Sequence, residues 1–196
     1  MIEELEFVFS FRSPFAWIAA RHVLPQVHPD VHVRWTPFMP LPEFPNFGGQ
    51  MPIGKVRHNA HDILRLCKEY GIEVGRPPID EDDWHPAHTA VLHADRLGRG
   101  PDYARALFDV RWVEGRPASS REAIADAART VQLDPDACVA DAFDPERQRE
   151  LRDLVKRNYD EREIFGVPMF LLPTGEVFWG HDRMEWALRY GYVPAA

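Results

Sequence analysis

Strand patterns in this sequence occur only near its two ends, and the long stretch between them has helical periodicity. Near the amino terminus, residues 5–11 and 31–35 carry apolar side chains in the arrangement of buried strands. Near the carboxyl terminus, residues 167–172 and 176–179 predict a hairpin around a Pro-Thr-Gly turn. Because neither end has enough strands for a stable sheet, we expect both ends to contribute to one sheet.

Two helices are predicted in the amino-terminal part. Ser13 and Pro14 form a helix-start signal, since the hydroxyl can cap free N–H groups and proline fits the first helical position. Pro25 ends that helix. A second helix is predicted over residues 52–70 and ends at Gly71. Five residues of the second helix share one side and are expected to face the core: Ile53, Val56, Ile63, Leu64 and Cys67.

The remaining helical signals complete the order of elements. Residues 84–163 predict four or five helices, separated by Gly- and Pro-containing breaks, and Asp182 is predicted to cap a short last helix. The order β-α-β, helical block, β-β-α is that of a thioredoxin-type scaffold with an insertion. We therefore predict an α/β thioredoxin-like domain formed by residues 1–83 and 164–196, and a helical insertion domain at 84–163.

Composition excludes several classes of function. A formal net charge of −8 without a Lys/Arg cluster gives no surface for nucleic acid. No apolar run approaches the roughly 20 residues that span a bilayer, so we expect no membrane contact. The acidic start is unlike a secretory signal, and Cys67 and Cys138 form no CxxC pair. These features predict a cytoplasmic protein with reduced thiols.

The histidines do not predict a metal site. His58 and His61, and likewise His85, His88 and His93, lie close together in the sequence. Their spacings match no known set of metal ligands. We therefore expect no bound metal.

The segment around Ser13 has two interpretations. The simpler one is a helix cap only. The functional one uses the same geometry, because the amino end of a helix stabilises an anion such as a thiolate, and a serine hydroxyl can donate one more hydrogen bond to it. No histidine or aspartate base adjoins Ser13 in the sequence, so it is expected to be a donor rather than a nucleophile.

Two further motifs could complete a site. Gly166-Val167-Pro168 opens a strand, and the proline is a candidate for a cis peptide bond, although an ordinary edge-strand proline is the alternative. In the cis form, the backbone of Val167 would be free to pair with an extended peptide. The turn after Trp179 places Asp182 where it could bind an ammonium group or simply cap the helix.

Together these motifs resemble a known family. FRSPFAW, GVP and FWGHDR, in this order and spacing, are similar to the 2-hydroxychromene-2-carboxylate isomerase family, which belongs with the kappa-class glutathione transferases in the DsbA-like thioredoxin superfamily. The resemblance spans nearly the whole chain. It implies a glutathione-dependent isomerase that acts on an aromatic or enone-like electrophile through a transient glutathione adduct, and a homodimer. The alternatives are a kappa-like glutathione transferase and a glutathione-binding protein without turnover.

The resemblance also implies roles for individual residues. Ser13 matches the catalytic serine beside the glutathione sulfur, Val167 pairs with the glutathione backbone, and Lys55 matches the partner of the glycine carboxylate. Asn46 matches a loop asparagine on the substrate side. The γ-glutamyl end is assigned to the segment that ends the FWGHDR motif: Trp179, Gly180, His181, Asp182 and Arg183.

Two more residues are assigned to the second substrate, Trp84 and His88, at the start of the first inserted helix. That helix start, His85-Pro-Ala-His88, departs from the asparagine that many relatives have there. The loop after Pro37 is shorter than usual and has no lysine. Because the tetrapeptide that begins at Ser13 lacks both cysteines, a disulfide oxidoreductase is the rejected alternative.

Overall fold

A computed structural model describes residues 3–44, 52–78 and 83–190 of the chain. It contains one four-stranded sheet with strand order β2-β1-β3-β4. Strand β1 pairs in parallel with β2 and antiparallel with β3, and β3 pairs antiparallel with β4. The strands are β1 (Glu4–Phe9), β2 (His32–Pro37), β3 (Met169–Leu171) and β4 (Val177–Trp179). The prediction that both ends of the chain build one sheet is therefore confirmed.

The helices follow the predicted order. Helix α1 continues without a break into a π-helical turn (Ala19–Val23) and a 3-10 turn (Leu24–Gln26), and a second 3-10 turn (His181–Arg183) precedes α8. The helices are α1 (Pro14–Ile18), α2 (Ile53–Tyr70), α3 (His85–Arg96), α4 (Gly100–Trp112), α5 (Arg121–Thr130), α6 (Pro135–Ala142), α7 (Pro145–Arg162) and α8 (Met184–Tyr190). None of the described helices is long and apolar enough to cross a membrane.

Strand β1 is buried because alternate side chains fill two apolar cores. Phe7 and Phe9 pack on one face of the sheet with Trp17 of α1 and Phe108 of α4. Val8 packs on the opposite face with residues of α7, such as Leu151. The central strand is thus covered on both sides, and the loop that follows it leaves the sheet between helices. The division into two domains stays a prediction.

Helix α2 differs from its sequence prediction. Gly71 ends it in the left-handed conformation, as predicted, with φ +63°. Of the predicted apolar stripe, only Cys67 is buried, whereas Ile53 is 67% exposed and Leu64 57% exposed. The prediction is therefore correct only in part: Ile63 and Cys67 of the stripe pack against the core, but the packed side of α2 is shifted towards Leu66 and Tyr70, which leaves Ile53 and Leu64 outside it.

Two boundaries also differ. Strand β1 ends at Phe9 rather than at Phe11, because Ser10 begins the turn that leads to α1. Asp182 lies inside the 3-10 turn before α8 and not at its cap, and Gly180 occupies the N-cap position of that turn with φ 123°. The prediction that Asp182 caps the last helix was therefore wrong.

Candidate active site

The loop between β1 and α1 is held by its own hydrogen bonds. The Ser13 N–H donates to the Ser10 carbonyl over 3.0 Å. The Arg12 N–H donates to the Ser10 hydroxyl over 3.3 Å, and Ser10 itself is buried. The backbone of this loop is therefore fixed from within at the carboxyl end of the central strand.

Helices α3 and α4 fix the same loop from outside. The Phe11 N–H donates to Nε2 of His88 over 3.3 Å, and the Phe11 carbonyl accepts from the Trp112 indole over 3.1 Å. Because Nε2 accepts, Nδ1 carries the proton and donates to the Trp84 carbonyl over 2.7 Å. Burial, together with a smaller effect of the charge of His85, lowers the pKa of His88 to about 4. The hydrogen bond to the Trp84 carbonyl raises this pKa, but it does not outweigh burial. His88 is therefore neutral at neutral pH.

Ser13 is the N-cap of α1. Its hydroxyl oxygen accepts from the Ala16 N–H over 3.1 Å, so the hydroxyl proton is still available for a bond to another group. Pro14 has no N–H, and the Phe15 N–H has no hydrogen-bond partner among the described residues. Two donors, the Ser13 hydroxyl and the Phe15 amide, are thus available at the amino end of the helix.

Val167 lies at the same end of the sheet. The Val167–Pro168 peptide bond is cis, as predicted. The antiparallel register pairs Val8 with Met169, and its continuation by two residues sets Val167 opposite Ser10. Within the described chain, neither the N–H nor the carbonyl of Val167 has a hydrogen-bond partner. This backbone is therefore available to an extended peptide.

The turn after β4 packs on both of these segments. The Gly180 N–H donates to the Pro168 carbonyl over 3.0 Å. His181 stacks on Phe15, with ring centroids 5.6 Å apart. Burial lowers the pKa of His181 although the charges of Asp182 and Asp62 oppose it. Helix α2, which carries Asp62, packs against α1.

Lys55 lies seven residues, or about two helical turns, before Asp62 and so shares its side of α2. Lys55 is exposed. Asp182 is also exposed, and its carboxylate lies 3.5 Å from the Arg183 guanidinium. Both charged side chains are therefore accessible to a polar ligand from solvent, although Asp182 already has Arg183 as an ion-pair partner.

The glycine before Val167 makes room for an aromatic side chain. Trp179 is 58% exposed and meets Phe165 edge to face at 5.3 Å. A Cβ atom at Gly166 would lie 2.8 Å from the Trp179 indole nitrogen. Gly166 therefore allows the indole to lie close against the chain.

Comparisons with protein families and with solved structures identify the fold to which this site belongs. A family model described as "DSBA-like thioredoxin domain" matches residues 4–190, which is nearly the whole chain. The chain belongs to the DsbA-like thioredoxin family. A search of curated proteins found no significant match.

Solved structures of DsbA-like proteins share the fold. A 2-hydroxychromene-2-carboxylate isomerase is 20% identical, with a TM-score of 0.82 over 96% of this chain and 94% of the other. A probable DsbA oxidoreductase from Streptomyces coelicolor is 17% identical, with a TM-score of 0.74 over 98% and 92%. The cytosolic disulfide reductase DsbM from Pseudomonas aeruginosa, solved with GSH, is 21% identical, with a TM-score of 0.66 over 95% and 99%.

The DsbA-like fold brings most of the predicted site residues to one end of the sheet. Ser13, Val167 and the segment from Trp179 to Arg183 meet there, and Lys55 lies on the neighbouring helix. Asn46 lies outside the described residues.

The two residues predicted for the second substrate differ in exposure. His88 has no exposed surface, and both of its ring nitrogens bond to the backbone, so its assignment as a pocket-lining residue was wrong. Trp84 is partly buried, with the Arg111 guanidinium 4.5 Å from the centre of its ring. Its contact with a substrate stays a prediction.

Two other kinds of site, a cavity and a metal site, have less support from the described residues. A cavity of about 400 Å³ lies at the far end of β1, but its buried Glu6 is already paired with Arg34 and Arg162. In the described part of the chain, no group of three or more His, Cys, Asp or Glu residues could hold a metal ion.

Sequence reasoning missed the groups that hold the Ser13 loop. The bond from Trp112 to Phe11 joins residues 101 positions apart, and no local pattern indicates it. Ser10 could have been suspected, because a small polar residue follows a run of buried apolar ones. The stacking of Phe15 on His181 likewise depends on the tertiary structure.

Proposed function

We propose that this protein is a glutathione-dependent isomerase of the 2-hydroxychromene-2-carboxylate isomerase type, acting on an aromatic or enone-like electrophile. The observation that carries the proposal is the bonding of Ser13. Its oxygen accepts the cap bond from Ala16, so its proton is left to donate to an anion at the amino end of α1. A thiolate fits this position better than a nucleophilic serine does, since no described side chain acts as a base for Ser13.

The donors around Ser13 fit a tripeptide thiol. The N–H and carbonyl of Val167, which have no hydrogen-bond partner in the described part of the chain, would pair with its backbone in the manner of a β-strand. Lys55 would meet the glycine carboxylate and Asp182 the γ-glutamyl ammonium group. We assign the rest of the γ-glutamyl contact to Trp179, Gly180, His181 and Arg183. The glycine end of glutathione is anionic and its γ-glutamyl end carries an ammonium group, so the charges of Lys55 and Asp182 would complement them.

Bound glutathione would supply a nucleophilic thiol for reversible addition to the C=C bond of the electrophile, so that addition and elimination together would interconvert the isomers and return glutathione unchanged. The Ser13 hydroxyl and the Phe15 N–H favour the ionised sulfur by donating to it. The hydrogen bonds at Phe11 keep both donors in place.

The relatives support this proposal to different degrees. One of them carries the name 2-hydroxychromene-2-carboxylate isomerase, and the DsbM structure contains GSH. Sequence identities of 20% and 21% support a shared fold only. The assignment of a substrate class is therefore based on the site residues. We also propose, from the resemblance, that the protein is cytoplasmic and a homodimer.

Two alternatives remain within the same site. A kappa-like glutathione transferase would release the adduct instead of reversing it, and a binding protein would hold glutathione without turnover. Disulfide exchange is disfavoured because Cys67 and Cys138 are both buried, and burial raises the pKa of each thiol.

The proposal is tested by titration calorimetry with reduced glutathione, followed by a panel of cis-enone electrophiles. Binding together with cis–trans isomerisation that leaves glutathione unconsumed supports the isomerase. Consumption of glutathione identifies the transferase, and binding without turnover identifies the binding protein. The absence of glutathione binding would refute all three.

A further inference from the structure

Arg12 is a charged residue directly beside the proposed sulfur position. It precedes Ser13, and its own N–H is fixed to the Ser10 hydroxyl over 3.3 Å. The neighbouring peptide group of Phe11 is held by His88 and Trp112. The Arg12 side chain therefore extends into solvent from a fixed backbone rather than from a loose loop.

The guanidinium of Arg12 has no carboxylate partner among the described residues, in contrast to most arginines of the chain. Arg21 of the following helix is paired with Asp109 at 2.6 Å, and Arg183 of the neighbouring turn lies 3.5 Å from Asp182. The protein as a whole carries a net charge of −8, which disfavours the approach of anions. Arg12 is exposed and adjoins Ser13 in the chain, so a cation without a carboxylate partner in the described ranges can offset that field locally.

We propose that Arg12 is a specificity-determining residue, and that it selects electrophiles carrying a carboxylate or another planar or tetrahedral oxyanion. This inference rests on the proposed function, because it assumes that the electrophile approaches the end of α1. The guanidinium would bind the oxyanion of the second substrate, with Ser13 and Phe15 directed at the sulfur.

The chemistry of arginine suits this role. Its planar guanidinium can donate two parallel hydrogen bonds to one carboxylate, which fixes the orientation of the substrate as well as its position. A lysine would retain the charge but not the paired geometry. Since Arg12 is exposed, we expect its removal to weaken the binding of a carboxylate substrate about tenfold. This factor corresponds to the lower end of the energy of a charge-assisted hydrogen bond.

The test uses a matched pair of enones, (E)-3-benzoylacrylate and its methyl ester, which differ in one negative charge. Glutathione addition is followed with wild type, Arg12→Gln and Arg12→Lys. The control is Arg149→Gln, which removes an arginine of α7 that is also exposed and has no partner among the described residues. We expect Arg12→Gln to lower kcat/KM about tenfold for the acid and to leave kcat/KM for the ester unchanged. For the acid, kcat/KM of Arg12→Lys should lie between those of wild type and Arg12→Gln.

Direct binding separates this inference from the proposed function. Calorimetry with 3-benzoylpropionate, the saturated and unreactive anion, is expected to give about a tenfold weaker affinity for Arg12→Gln than for wild type or Arg149→Gln. If glutathione fails to bind but this difference in affinity is found, the result supports the anion site at Arg12 and refutes the proposed glutathione-dependent function. Equal affinity of all variants for the anion would overturn the role of Arg12. An equal loss for acid and ester, with weaker glutathione binding, would also overturn it and assign Arg12 to glutathione.

Discussion

The backbone N–H of Phe11 donates to Nε2 of His88, a residue 77 positions later in the chain, in a bond of 3.3 Å. Both groups are buried. The first inserted helix thus fixes the peptide group two residues before Ser13, and it does so only with a neutral imidazole, because a protonated Nε2 cannot accept. The insertion is therefore part of the support of the site.

This relationship predicts how stability depends on pH. Because the pKa of His88 is about 4 in the folded protein and ordinarily 6.5, only the unfolded chain takes up a proton between these values. Stability is therefore lost as the pH falls from 6.5 towards 4, by about 3 kcal/mol from this residue. We expect His88→Gln, which keeps a donor and an acceptor without titrating, to remove that part of the slope.

Urea unfolding of both proteins at several pH values measures the difference. The exposed His32→Gln provides the comparison for loss of a surface histidine. A slope in His88→Gln as steep as that of wild type would contradict the assignment of a neutral, buried His88.

Ser13→Ala removes the cap of α1 and the free hydroxyl donor. We expect a loss of about 1 kcal/mol in unfolding free energy. We also expect a higher pKa for the thiol of bound glutathione, measured by thiolate absorbance, and turnover that is lower by about 10- to 100-fold. Ser120→Ala is a matched control, because the Ser120 hydroxyl accepts from Ala123 over the same 3.1 Å at the cap of α5. Equal turnover in the two variants would argue against the proposed role of Ser13.

Glu6 is a buried carboxylate that joins β1 to β2 and α7. Burial raises its pKa, but hydrogen bonds from Arg162 and Thr36, together with the charge of Arg34, outweigh burial and leave the pKa below its ordinary value. We expect Glu6→Gln to lower the free energy of unfolding by about 3 kcal/mol near neutral pH. This cost should shrink as the pH falls from 4.5 through the lowered pKa, since the wild-type carboxylate then becomes protonated as well.

The comparison for Glu6 is Glu4→Gln. Glu4 belongs to the same strand and pairs with the same Arg34, but its side chain is 48% exposed. We expect a cost below about 1 kcal/mol for this variant. Chemical denaturation of both variants tests the contrast, and similar costs would mean that burial of Glu6 does not determine its contribution.

Gly166→Ala is expected to displace the Trp179 indole, because the added Cβ would lie 2.8 Å from its nitrogen. Since Trp179 is exposed, unfolding free energy should change by less than about 1 kcal/mol. Glutathione affinity should fall roughly tenfold if the indole borders the ligand. In Gly54→Ala, the control, a Cβ meets no atom of the described residues within 4 Å. Unchanged glutathione affinity in Gly166→Ala would exclude Trp179 from the site.

Much of the fold could be predicted from local patterns. The Ser13 cap, the end of α2 at Gly71 and the cis bond before Pro168 depend on neighbouring residues, and all three agree with the structure. The exposure of Ile53 and Leu64 in the apolar stripe of α2 could not be predicted. Periodicity identifies an apolar side of a helix, but which side meets the core depends on where other elements pack.

The sequence by itself determined the order of elements, the thioredoxin-like scaffold, and a serine instead of a cysteine at the start of α1. These features follow from side-chain periodicity and from the chemistry of single residues. Tertiary structure alone decided that His88 supports the loop rather than lining a pocket, and that His181 stacks on Phe15. Such contacts join residues far apart in the chain, and their energies depend on burial, which exists only once the chain has folded.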